Sequence, residues 1–121
     1  MRPLLVADDE PDIRLMLRTV LRTQGWKVEE ASSGDEALAR CQGGGLFDAV
    51  ILDQKMPGLS GAETAQRLRA EGYVFPIILY SAYLTEEVEE LAAAVGIQAV
   101  AKEDLQGLIR ALGDIAEASP A

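Results

Sequence analysis

Ala49-Val50-Ile51-Leu52-Asp53 decides the architecture. Four apolar residues in a row, without alternation, suit a strand covered on both faces, as in a parallel sheet flanked by helices. On either side of this stretch, short apolar runs alternate with helical stripes. Leu4-Leu5-Val6-Ala7 ends at Asp8, and Trp26-Lys27-Val28-Glu29 alternates like a half-buried strand. Between them Ile13, Met16, Leu17, Val20 and Leu21 share one helical face, opened by Pro11 and closed by Gly25. Gly34 to Gln42 carries Ala37, Leu38 and Cys41, a weaker helix before the loose Gly43-Gly44-Gly45. Beyond Asp53, Ala62, Ala65 and Leu68 form a third helical stripe closed by Gly72. Phe75 to Tyr80 predicts a fourth strand, with Pro76 near its start where a missing N–H is tolerated. Val88, Leu91, Ala92 and Val95 mark a fourth helix ending at Gly96, Ile97 to Ala101 a fifth strand, and Leu105, Leu108, Ile109 and Leu112 a fifth helix. Gly107 and Gly113 weaken that last helix by roughly 1 kcal/mol each relative to alanine. Five βα units in succession predict a doubly wound α/β domain over residues 1–117, with 118–121 as a tail or the start of a linker.

Composition narrows the function. A chain of 121 residues, 49% of them hydrophobic, makes one domain with a real core. Eleven basic residues against twenty acidic ones give a net charge of −9, which repels nucleic acid and anionic membranes. The longest apolar runs, near 46–52 and 77–80, are too short to span a bilayer. Met1-Arg2-Pro3 leads straight into a strand with no signal segment, and the single cysteine, Cys41, suits a reducing compartment. A cytoplasmic location is the expectation. Cys41 lies on an apolar stripe and reads as packing, and Trp26 reads as partly buried filler. No histidine is present, which removes His-based metal sites, His general bases and Ser-His-Asp triads.

In sheets of this kind ligands bind beyond the carboxyl ends of the strands. The first strand ends in Asp8-Asp9-Glu10, the third in Asp53, the fourth in Ser81-Ala82 and the fifth in Lys102. Three carboxylates gathered at one rim repel, at about 4 kcal/mol per pair for a 4 Å separation and an effective dielectric of 20. Something positive must join them. Hard oxygen ligands without His or Cys point to Mg²⁺, or Mn²⁺ in its place, with Lys102 as a permanent counter-charge. A phosphate-cradling nucleotide loop is excluded, because Asp8-Asp9-Glu10-Pro11-Asp12 is acidic where such a loop is small and rich in free N–H groups. Taken singly, each residue has a plainer explanation: an Asp at a strand end caps helices, Ser81 caps the next one, and Lys102 or Asp8 is surface charge.

The chain resembles the receiver domain of two-component response regulators, the chemotaxis-regulator-like fold, over essentially its full length. The resemblance rests on Asp8-Asp9 within VADDEPDIR, on the segment Asp53-Gln54-Lys55-Met56-Pro57-Gly58-Leu59-Ser60-Gly61, on Ser81-Ala82 after IILY, and on Lys102. It implies a flavodoxin-like sheet of order 2-1-3-4-5. It also implies that Asp53 accepts a phosphoryl group from a phosphohistidine on a histidine kinase or histidine phosphotransfer protein. Asp9, Asp53 and the main-chain carbonyl of Lys55 would hold Mg²⁺, with Asp8 helping through water. A carboxylate is a competent nucleophile for phosphorus. Stabilising the transferred oxygens is then a matter of placed charge: Lys102 takes one, and the Ser81 hydroxyl with the Ala82 N–H another. Lys55 and Tyr83, which flank the site, would set the rate of autodephosphorylation.

Two positions depart from the family pattern. Ala99 stands three residues before Lys102, where receivers usually carry Tyr or Phe, and Glu103 stands where proline usually follows. The first mutes the usual aromatic switch; the second makes the Lys102–Glu103 bond trans and lets Glu103 compete for Lys102. Two rivals follow: a pseudo-receiver that binds without phosphorylation, and a haloacid-dehalogenase-type phosphotransferase, for which Asp8-Asp9-Glu10 has the wrong spacing. Arg14, Leu15, Arg18 and Arg22 make a basic outer side of the first helix, read as the docking surface for the phosphodonor. Glu86, Glu87, Glu89 and Glu90 crowd the start of the fourth helix, where the macrodipole favours them. The fifth helix shows Gln106, Arg110 and Asp114 and no large apolar patch, so a monomer or weak homodimer is expected.

Overall fold

The computed structural model describes residues 1–118. Five strands and five helices alternate in the order β1 (Arg2–Ala7), α1 (Pro11–Arg22), β2 (Trp26–Ala31), α2 (Gly34–Gln42), β3 (Ala49–Leu52), α3 (Gly61–Ala70), β4 (Ile77–Ser81), α4 (Glu86–Val95), β5 (Gln98–Ala101) and α5 (Leu105–Ala118). The strands form one parallel sheet of order β2-β1-β3-β4-β5, as expected. β1, β3 and β4 are covered on both faces, and every residue of β3 is buried.

Two apolar layers sandwich the sheet. Leu5, Ala7, Val50, Leu52 and Leu79 point into one, with Ala37, Leu38 and Cys41 of α2, Ala65 and Leu68 of α3, and Ala92 of α4. Leu4, Val6, Ile51, Ile78 and Tyr80 point into the other, against Leu17 and Leu21 of α1 and Leu108, Ala111 and Leu112 of α5. Successive strand residues alternate between the layers, as the pleat requires. Burial of those three α5 side chains outweighs the low helix propensity of Gly107 and Gly113.

Several boundaries differ from the sequence pattern, each for a local reason. β4 begins at Ile77 rather than Phe75: Pro76 contributes only its carbonyl, which accepts from Val50 N at 3.0 Å. β5 begins at Gln98, because the Ile97 N–H is already bonded to Ala92 O at the end of α4. β2 runs on to Ala31, in register with Ala7. α5 reaches Ala118, one residue into the expected tail, alanine being the strongest helix former; the remainder of that tail lies outside the described residues. Trp26 is 2% exposed, a full member of the α1/α5 layer rather than partly buried filler. No helix among the described residues is long and apolar enough to cross a membrane.

Candidate functional site

The main-chain ladder of the sheet continues one residue past β1, β3 and β5. Asp8 N–H donates to Ala31 O at 3.0 Å, Asp53 N–H to Ala7 O at 2.9 Å, and Lys102 N–H to Ser81 O at 3.1 Å. Asp8, Asp53 and Lys102 are thus each the first residue to leave a strand, with backbones still fixed by the neighbouring one, while Ser81 is the last residue of β4. Segment 53–61 is held from below by a close approach. A Cβ on Gly61 would lie 2.3 Å from Asp53 O and 2.6 Å from Leu79 Cδ1, so only glycine lets α3 start against the Asp53 carbonyl. Ser60 and Glu63 then form a reciprocal capping box that opens α3.

At this rim the carboxylate oxygens of Asp8, Asp9 and Asp53 come within 4.8 Å of one another. Asp8 and Asp53 are buried, at 2% and 4% exposure, whereas Asp9 is exposed. Lys102 Nζ bridges the buried pair, 2.8 Å from Asp8 Oδ2 and 3.2 Å from Asp53 Oδ2. Their second oxygens accept main-chain N–H bonds, Asp8 Oδ1 from Glu10 at 2.9 Å and Asp53 Oδ1 from Gln54 at 2.8 Å. Lys102 is anchored in turn by Tyr80, whose hydroxyl donates to the Lys102 carbonyl at 2.9 Å. The plainer explanations of Asp8 as solvent-facing charge and of Lys102 as an ordinary surface lysine do not survive this geometry.

The electrostatics leave the cluster short of positive charge. Burial raises the Asp8 carboxyl above its ordinary range, and the nearby charge of Asp53 adds to the effect against the hydrogen bonds from Lys102 and Glu10. Burial alone would lower Lys102; the hydrogen bond to Asp8 and the charges of Asp53 and Asp8 outweigh it and hold the ammonium above its ordinary value. Three carboxylates against one ammonium leave two negative charges. An all-oxygen donor set with that residual charge fits a hard divalent cation.

The flanks are in place as well. Ser81 is fully buried, its Oγ accepting from Tyr83 N–H at 3.1 Å, which leaves the hydroxyl proton free to donate. Ala82 is exposed, and Lys55 Nζ sits 4.6 Å from the centroid of the Tyr83 ring, a cation–π contact between the segments that follow β3 and β4. Glu103 does not capture Lys102, whose ion pairs among the described residues are with Asp8 and Asp53. The Lys102–Glu103 bond is trans, as expected. Ala99 lines a surface cavity of about 440 Å³ shared with Leu84, Glu89 and Arg110. Cys41 is buried packing, as expected.

Two features of the site are absent from the sequence reading. One is the Tyr80 anchor. The other is Arg14, read as part of an outward basic stripe but in fact turned inward: it donates to the Asp8 carbonyl and pairs with Glu30 at 3.0 Å. Arg18 also pairs with Glu30, at 2.7 Å. Of the four residues of the expected docking side, Leu15, Arg18 and Arg22 are exposed. Pairing β2 against β1 in register, which sets Glu30 opposite Val6 one step from the rim, is the signal that could have revealed Glu30.

Comparison with known proteins agrees with this geometry. The family model described as "Response regulator receiver domain" matches residues 4–112. Transcriptional regulatory protein ResD of Bacillus subtilis (strain 168) is 38% identical over 99 residues, covering 79% of this chain and 38% of that protein. The chain thus spans well under two thirds of such curated relatives. Response regulator protein TrrA of Thermotoga maritima, solved in complex with Mg²⁺-BeF, superposes with a TM-score of 0.86 at 34% identity, over 95% of this chain and 99% of that one. The same regulator in complex with histidine kinase ThkA gives a TM-score of 0.85 at 34% identity, covering 95% of this chain and 98% of that one.

Proposed function

The chain belongs to the response regulator receiver domain family, and on that footing we propose that Asp53 is its phosphoacceptor. The observation carrying the proposal is the convergence of the Asp8, Asp9 and Asp53 oxygens within 4.8 Å, with Lys102 bridging the buried pair. A receiver domain is a signalling module, and the only chemistry asked of this one is gain and loss of its own phosphoryl group.

In the forward step an Asp53 carboxylate oxygen attacks phosphorus of a partner's phosphohistidine. An O–P bond forms, the P–N bond breaks, and its electron pair stays on the departing imidazole. The product is a mixed anhydride. The transferred group carries its charge on three peripheral oxygens, so the protein's contribution is positioning and neutralisation. Lys102 is already within ion-pair distance of Asp53 and would move its bonds to one of these oxygens. The Ser81 hydroxyl and the Ala82 N–H would donate to another. Asp9, Asp53 and the Lys55 carbonyl, with help from Asp8, would hold Mg²⁺, which would supply positive charge against the phosphoryl oxygens and the surrounding carboxylates. Hydrolysis reverses the state: water attacks phosphorus, the Asp53 O–P bond breaks with its electron pair returning to the carboxylate, and inorganic phosphate leaves; Lys55, in contact with the Tyr83 ring, would restrict the water's approach.

The donor would be a histidine kinase or histidine phosphotransfer protein, since this chain has no histidine of its own. It would dock beside α1, where Leu15 is 51% exposed near Arg18. The output would be a shift across α4, β5 and α5. With Ala99 in place of an aromatic ring, that shift would not swing a ring inward but act on the cavity beside Ala99. Beryllofluoride with Mg²⁺, a phosphoryl mimic, tests the proposal by NMR. A receiver shifts the amides of Asp8, Asp9, Asp53, Ser81 and Lys102, and the shifts vanish in Asp53→Asn. Unmoved amides in the wild-type protein would instead make the chain a pseudo-receiver.

A further inference from the structure

Asp9 is placed unlike its two partners in the acidic cluster. Asp8 and Asp53 are each fixed by Lys102 and by a main-chain N–H, whereas the Asp9 side chain has no hydrogen bond or ion pair among the described residues. Only its backbone holds it near the others. The peptide that joins Asp8 to Asp9 is itself gripped at its carbonyl by Arg14, whose side chain is only 16% exposed. Arg14 reaches there from the first turn of α1 and is braced at Nε by Glu30, a residue of the sheet itself. The planar guanidinium thus ties a strand, a helix and the acidic turn together, using two of its donors at once.

We infer that Arg14 is a positioning residue for the divalent-cation site: it fixes the Asp8–Asp9 peptide and thereby aims the Asp9 carboxylate at those of Asp8 and Asp53. The inference rests on the assignment of Asp9 and Asp53 as cation ligands. Charge and position make opposite predictions here. If Arg14 acted only as a nearby positive charge, removing it would tighten cation binding to an acidic pocket. If it aims Asp9, removing it weakens binding, because groups that orient metal ligands are typically worth about tenfold or more in affinity.

Mn²⁺, titrated into the folded protein and followed by electron paramagnetic resonance, separates these outcomes. Arg14→Met keeps the aliphatic stem and loses the fork; its Mn²⁺ dissociation constant should rise about tenfold. Arg14→Lys keeps charge and length but offers a single ammonium, and should fall between Arg14→Met and wild type. Arg40→Met removes an equal charge that pairs with Glu29 and Glu36, and should leave the affinity unchanged. A wild-type or tighter affinity in Arg14→Met, even with a lowered melting temperature, overturns the inference. Should that variant fail to fold, wild-type affinity in Arg14→Lys overturns it equally. Loss of Mn²⁺ binding by the wild-type protein would defeat the assignment of the ligands themselves.

Discussion

Gly61 and Cys41 show how little room the packing leaves at single residues. A methyl group at position 61 would press on the Asp53 carbonyl and on Leu79. Gly61→Ala should therefore cost about 1–3 kcal/mol, read as a lower denaturant midpoint with an unchanged slope, and should slow phosphorylation by displacing Asp53. Cys41 is 3% exposed, and burial, helped by the charge of Glu71, pushes its thiol from 9.0 up to about 11. The folded chain keeps the thiol proton longer than the unfolded one. Stability that depends on the neutral thiol is therefore complete below pH 9 and is lost as pH climbs toward 11. Cys41→Ala should remove that part of the decline, measured by chemical denaturation across the same pH range. In the native wild-type protein the thiol should react with alkylating reagents only as fast as the chain opens.

At the level of elements, α1 carries two jobs on two faces. Leu17 and Leu21 pack on the sheet, while Leu15 faces outward. Leu15→Asp should slow transfer from a histidine kinase by tenfold or more, about 1.4 kcal/mol, while leaving phosphorylation by a small-molecule donor unchanged. Equal loss with both donors would mean the helix is damaged rather than its docking face. The periodicities that predict α1 also made most of the architecture legible, because buried stripes and fully apolar strands leave direct marks on sequence. The strand ends were legible for the same reason: an apolar run that stops at a charge marks the rim, which located Asp8, Asp53 and Lys102. What stayed hidden were contacts between distant segments. Glu30 looks like one acid among twenty until β2 is laid beside β1, and only then does Arg14 acquire a partner and an inward direction. The start of β4 was missed because a proline carbonyl can pair where its nitrogen cannot, and Trp26 because alternation alone does not show that α1 closes over it.

Across the whole molecule there is an excess of nine negative charges, and two of them gather where three carboxylates meet a single lysine. Without a divalent cation, Asp9→Asn should stabilise the fold slightly, since like charges about 4 Å apart cost about 1 kcal/mol in a water-like dielectric. With Mg²⁺ at a hundred times its dissociation constant, the wild-type protein should gain about 2.7 kcal/mol, and the order of the two proteins should reverse. Thermal denaturation with and without Mg²⁺ reads both effects. On the proposed reading this pocket, once neutralised, turns the Asp53 carboxylate into an acceptor for phosphorus. Intact-mass and peptide-mapping spectrometry after treatment with phosphoramidate tests it most directly. One added phosphoryl group is expected on the peptide containing Asp53, labile to hydroxylamine, abolished by EDTA and absent from Asp53→Asn. A phosphoryl group that persists in Asp53→Asn, or a wild-type protein that takes up none with Mg²⁺ present, would contradict it.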